Sequence, residues 1–103
     1  MTLPPPIFTL DIDGKPILAF EAKNLRESQQ LCHERWLRQD IADLMSNGVS
    51  LWDGKARLRV RRSTESEIAI YREAARDGAQ TQGDLLLAYL VELDDLQENP
   101  GQV

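Results

Sequence analysis

Two Asp-Gly dipeptides, Asp13-Gly14 and Asp53-Gly54, each stand beside runs of apolar or alternating residues. Asp-Gly is a strong short-range signal for a β-hairpin, because a tight turn that matches strand twist needs residues that tolerate positive φ. Hairpins are therefore the firmest part of the expected fold. The first pairs Ile7–Ile12 with Pro16–Glu21. A two-residue loop in a regular ladder splits the apolar set, putting Phe8 and Leu10 on the face opposite Leu18 and Phe20. A three-residue loop, Ile12-Asp13-Gly14 with Gly14 left-handed, collects all four on one face and sets Asp11 across from Lys15, so it is the expected geometry.

After the second Asp-Gly comes Lys55-Ala56-Arg57-Leu58-Arg59-Val60-Arg61, with apolar and basic residues alternating at period two. That is a strand with Ala56, Leu58 and Val60 inward and basic side chains outward, completing a second hairpin with Val49–Trp52. Helical signals fill the gaps. Asn24 with Glu27 forms a capping box that starts a helix running to about Asn47-Gly48. Its apolar residues fall on two stripes, Leu25/Cys32/Trp36 and Leu37/Ile41/Leu44/Met45, rotated by about 140°. A break is expected around Arg38-Gln39-Asp40, with Asp40 capping a second helix. Thr64 with Glu67 is another capping box, opening a helix that buries Ile68, Tyr71 and Ala75 and stops at Asp77-Gly78. A flexible loop is expected from Gly78 to Gly83. Leu85 to Leu93 fits a covered strand or a helix stripe, and the strand is preferred because turn residues bound a strand-length run.

The order ββ-α(α)-ββ-α-β implies an α+β fold, a small antiparallel or mixed sheet built on two hairpins with helices packed on one face. At 103 residues, 42% hydrophobic and 28% charged, the chain has the size and composition of one globular domain. The expected bounds are a domain over 7–97, a short N-terminal tail over 1–6 where three prolines oppose a helix, and a frayed tail over 98–103. The lone cysteine, Cys32, forms no intrachain disulfide and suits a reducing compartment, the cytoplasm by default. The longest apolar run, seven residues from Leu85 to Val91, is far short of the roughly 20 needed to span a membrane, so no membrane partner is expected.

Formal net charge is −5, which disfavours binding to nucleic acid or anionic lipid across the whole surface. Its distribution is uneven. Lys55, Arg57, Arg59, Arg61 and Arg62 form a basic strip, while the remaining seven Lys and Arg are set against 17 Asp and Glu. On a strand, Lys55, Arg57, Arg59 and Arg61 project about 6–7 Å apart as a ladder suited to phosphates or a partner's carboxylates. The excess of Arg favours bidentate contacts. Against this stand a plain solvated face and a ladder neutralised by the protein's own acids. Aromatic residues do not interleave with the arginines as single-strand recognition requires. Trp52, just before the second turn, is a candidate anchor for a partner, whereas Trp36 packs in the core.

Signs of catalysis are sparse. Cys32 and His33 are neighbours on a helix, about 100° apart, and so cannot form a facing thiolate–imidazole pair. One Cys and one His at no familiar spacing make a weak metal signal. Asp11, Asp13, Asp53, Asp94 and Asp95 sit in turns or at segment ends, where local backbone hydrogen bonding accounts for them. The glycines form no phosphate loop, and no cofactor is expected. The expected function is a non-catalytic intracellular interaction module that binds an acidic partner through the basic strand face. A nucleic-acid-binding protein using the same strand ranks second, and an enzyme or metal protein using carboxylates third.

Overall fold

The computed structural model describes residues 5–76, 81–82 and 85–94. Its first hairpin joins β1 (Ile7–Ile12) to β2 (Lys15–Glu21). Asp13 and Gly14 lie at φ 53° and 85°, and Ile12 pairs directly with Lys15. The loop thus has two residues, not three, and both occupy the left-handed region that a type I′ turn requires. Phe8 still faces Phe20 and Leu10 faces Leu18, because the register slips between Leu10 and Asp11 and leaves Ile17 as an extra residue in β2. A β-bulge does what a longer loop was expected to do. Asp11 consequently stands opposite Pro16 instead of Lys15.

On the other side of β1 runs β5 (Leu58–Arg62), and the far edge of β2 receives β8 (Ala88–Tyr89). The four-stranded sheet has the order β5-β1-β2-β8, and every pairing is antiparallel. The α+β class and the antiparallel sheet are as the sequence implies. The second hairpin, however, turns at Asn47-Gly48, with φ 55° and 78°, and joins β3 (Met45–Ser46) to β4 (Val49–Ser50) in a separate two-stranded sheet. Asp94 fastens that turn by accepting from the backbone N–H groups of Asn47 and Gly48 at 2.8 and 2.7 Å. Asp53-Gly54 instead bends an irregular crossing to β5, with Asp53 Oδ1 accepting from the N–H groups of Lys55 and Ala56, both at 2.8 Å. Those bonds hold the Asp53 carboxyl below its ordinary pKa. A side chain that closes its own loop this way competes with strand pairing, so Lys55, Ala56 and Arg57 lie outside the strand expected to contain them.

The helices are α1 (Leu25–Leu31), α2 (Arg35–Asp43) and α3 (Glu65–Arg76). Asn24 caps α1 by accepting from Glu27 N–H at 2.9 Å, and the Glu27 carboxylate returns to Lys23 N–H at 2.8 Å. The break between α1 and α2 falls at Cys32–Glu34, earlier than expected, and Asp40 lies inside α2. Breaking there lets Leu31 and Cys32 from one helix, and Leu37 and Ile41 from the next, enter the same core. Arg38 Nε donates to the Cys32 carbonyl at 2.8 Å, satisfying a group that the end of α1 leaves open. Leu25, expected on the buried stripe, is 47% exposed.

All six β1 residues are buried, because both faces of the sheet are covered. Phe8, Leu10, Leu18, Phe20 and Val60 pack with residues of α1 and α2, while Ile7, Ala19 and Ala88 pack with Tyr71 of α3. The helices therefore divide between two faces instead of sharing one. The alternate positions of β1 are a second interior, and α3 closes it. Of the α3 residues expected in that interior, Tyr71 is buried and Ile68 packs at its margin; Ala75 is exposed, with Ala74 packed in its stead. Of the strand preferred for 85–93, only two short pieces form: β7 (Leu85–Leu86) pairs with β6 (Thr81–Gln82), and β8 joins the main sheet, while 90–93 lie outside any strand.

The expected stop at Asp77-Gly78, most of the 78–83 loop, the C-terminal tail and residues 1–4 of the N-terminal one lie outside the described residues. Pro6 is described, and its carbonyl accepts from Ala22 N–H at 3.3 Å. No helix among the described residues is long and apolar enough to cross a membrane.

Candidate functional site

The basic strip does not form one ladder. Alternation along β5 sends Arg59 and Arg61 to the α3 side of the sheet and Leu58, Val60 and Arg62 to the other. Arg61 is drawn inward. Its Nε donates to Asp11 Oδ2 at 3.0 Å, and its Nη1 and Nη2 donate to the two Glu67 carboxylate oxygens, each at 2.9 Å. Glu67 also accepts from Thr9 Oγ1 at 2.9 Å and from Thr64 N–H at 2.8 Å, and Thr9 Oγ1 lies 2.6 Å from Ser63 Oγ. Asp11 is 6% and Glu67 9% exposed. This is a two-pronged Arg–carboxylate pair braced by a second acid and by the α3 capping box. Its electrostatics follow from the contacts. The Arg61 hydrogen bonds, against the opposing effect of burial, hold the Glu67 carboxyl down at about 2, and the Glu67 contact raises Arg61 further above its already high value. Asp11 Oδ1 is buried with no hydrogen-bond partner among the described residues.

Arg61 is therefore a structural residue, and the ladder expectation fails there. Arg57 and Arg59 are exposed, as is Lys55 in the Asp53 loop. The described residues give these three no ion-pair partner. Arg62 is also exposed, but its guanidinium carbon lies 5.8 Å from the centre of the Phe8 ring. It covers the edge of the α1/α2 core and points away from Arg59.

Trp52 is half-buried, with its indole Nε1 donating to the Ala56 carbonyl at 2.8 Å. The Arg38 guanidinium carbon stands 5.6 Å from the centre of its ring, within range of a cation–π contact. Together Trp52 and Arg38 form a wall of a groove of about 450 Å³ that runs along β5, past Leu58, Arg59 and Val60, to Cys32 and His33 at the end of α1. Lys55 lies on its rim. A second groove of about 330 Å³ continues from Trp52 along α2 past Arg35 and Arg38. Apolar Trp52, Leu58 and Val60 share the lining of the groove beside β5 with basic Arg38, Lys55 and Arg59, which suits a ligand with both apolar and anionic groups.

Sequence reasoning found Trp52, Lys55, Arg57 and Arg59, and missed Arg38, whose contact with Trp52 bridges 14 residues and leaves no periodic trace. It also missed the Thr9/Asp11/Glu67 set. The signal was present: polar residues at alternate positions of a strand flanked by apolar ones, with a capping glutamate elsewhere available to meet them.

Cys32 is 8% exposed, and its Sγ donates to the Gln29 carbonyl at 3.0 Å. Burial pushes its thiol pKa up, outweighing the nearby Arg38 charge, so its thiolate is scarce at neutral pH. Among the described residues no three His, Cys, Asp or Glu side chains gather as metal ligands would. Comparisons with protein-family models, with curated proteins and with solved structures return no match.

Proposed function

We propose that this chain is a non-catalytic interaction module whose groove beside β5 takes an acidic segment of a partner protein. One observation carries the reading: Lys55 and Arg59, both exposed, line a groove walled by Trp52 and Arg38, in a chain whose net charge is −5. A concentrated positive site on an acidic body steers an acidic ligand to that site and repels it elsewhere. Trp and Arg are the side chains that most often anchor interfaces. The lone thiol fits a reducing compartment such as the cytoplasm.

The test is fluorescence anisotropy of the intact protein with a labelled glutamate-rich peptide, a lysine-rich peptide, and single- and double-stranded oligonucleotides, across a salt series. Binding of the acidic peptide that weakens with salt and falls at least tenfold in Lys55→Gln/Arg59→Gln supports the reading. Tighter binding of an oligonucleotide through the same residues would replace it with nucleic-acid recognition.

A further inference from the structure

We propose that the partner segment binds as an added β-strand along the outer edge of β5, antiparallel to it, with apolar and acidic residues alternating. This rests on the acidic-partner reading and specifies its backbone geometry and sequence pattern.

The pairing of β5 with β1 fixes which groups face outward. Asp13 N–H donates to the Arg57 carbonyl at 2.8 Å and Ser63 N–H to the Ile7 carbonyl at 3.0 Å, and the register sets Asp11 opposite Arg59 and Thr9 opposite Arg61. In an antiparallel ladder, residues alternate between pairs that exchange hydrogen bonds and pairs that do not. Arg57, Arg59, Arg61 and Ser63 therefore direct their backbone groups at β1, while Leu58, Val60 and Arg62 direct theirs away from it. Among the described residues β5 ends the sheet, and no backbone group of theirs bonds to Leu58, Val60 or Arg62 on that side. One outward group is otherwise engaged: the Arg62 carbonyl accepts from Arg61 Nη1 at 3.0 Å. Three N–H donors and the Leu58 and Val60 carbonyls remain as a template for another strand.

The groove lies along this edge, since Leu58, Arg59 and Val60 line it with Cys32 and Trp52. A strand added antiparallel there exchanges bonds with Leu58, Val60 and Arg62. Residues opposite Leu58 and Val60 project to the same face as those side chains, toward the part of the groove lined by Leu58, Val60 and Trp52. Intervening residues project to the Arg59 side of the sheet, where the Arg59 side chain is exposed. Complementarity on both faces thus calls for apolar residues at the bonded positions and glutamate or aspartate between them. A second copy of β5 fits poorly, because antiparallel self-pairing brings arginines together.

The probe is a seven-residue labelled peptide alternating Glu and Val, compared with a block peptide of equal composition and with versions N-methylated on the Val amides or on the Glu amides. Hydrogen exchange of the protein is followed alongside. Strand addition predicts that Val methylation weakens binding at least tenfold, that Glu methylation is tolerated, and that the Leu58, Val60 and Arg62 amides change from fast exchange to protected when peptide binds. Equal binding of all four peptides, sensitive to salt and to Arg59→Gln, would overturn strand addition while leaving the acidic-partner reading in place. Failure of every acidic peptide to bind would overturn both. Edge amides already protected in a dimeric free protein would assign the edge to a second copy and overturn the proposal.

Discussion

The two faces of the sheet are both interior, yet they are built from different chemistry. Under α1 and α2 the contacts are large and apolar: Phe8, Leu10, Leu18 and Phe20 are each at most 1% exposed, as are Leu37 and Ile41. Under α3 the apolar residues are fewer, and Thr9, Asp11, Arg61, Ser63 and Glu67 form a hydrogen-bonded set beside them. The first face is held by area removed from water, which is non-directional. The second is held by geometry, since each charge is tolerable only while its partners stay in place. One face should therefore accept volume-conserving change, and the other should not accept even an isosteric loss of charge.

The largest effect is expected on the apolar face. Phe8→Ala removes a buried ring that contacts the Phe20 ring at a centroid distance of 6.4 Å, and should cost about 3–5 kcal/mol in chemical denaturation. Phe8→Leu should recover most of it, and a failure to recover would mean that this face too is specified by shape. Next is Arg61→Gln, which strands Glu67 and Asp11 in the interior. The expected loss is about 2–4 kcal/mol, lower than for a fully buried pair because the Arg61 side chain keeps 33% exposure. A melting curve within a degree of the parent would show that the network is surface decoration.

Acid offers a subtler probe. The folded Glu67 carboxyl titrates near 2, against an ordinary 4.5, so between those values the unfolded chain binds the extra proton. The stabilisation is complete above about pH 4.5 and is lost as pH falls toward 2, on the order of 2–3 kcal/mol. Denaturation midpoints measured from pH 6 to pH 2 should fall more steeply for the parent than for Glu67→Gln, and parallel curves would remove Glu67 from this role. The smallest effect is expected for Arg57→Gln/Arg59→Gln, within about 1 kcal/mol, since exposed charges contribute little to folding. A larger loss would show that those arginines share the interior network with Arg61.

Much of this organisation was legible in the residues. Alternation of Phe8, Leu10, Leu18 and Phe20 marks a shared face, both capping boxes start helices at their stated positions, and Gly14 takes the left-handed conformation its turn needs. What escaped depends on competition between local signals of similar strength. Two Asp-Gly turns look alike in sequence, but only the first is flanked on both sides by strands that can bury their faces; at the second, the aspartate closes its own loop and Asn47-Gly48 makes the hairpin. The ladder of arginines looked uniform because period two shows which residues share a side of a strand and not what covers that side. Only the position of α3, set by contacts distant in sequence, separates Arg61 from Arg57 and Arg59. The groove depends in the same way on Trp52 meeting Arg38.

The bulge at Ile17 also determines where this hairpin can change length. Elsewhere in a ladder, losing one residue exchanges inside for outside in everything that follows, because side chains alternate with period two. Removing Ile17 instead restores a regular ladder: Pro16 remains opposite Asp11, Leu18 remains opposite Leu10, and Phe20 remains opposite Phe8. The deletion sacrifices one buried side chain and the 2.7 Å bond from Leu90 N–H to the Ile17 carbonyl. Ile17 is thus the point at which β2 can shorten by a single residue while both interiors keep their own side chains.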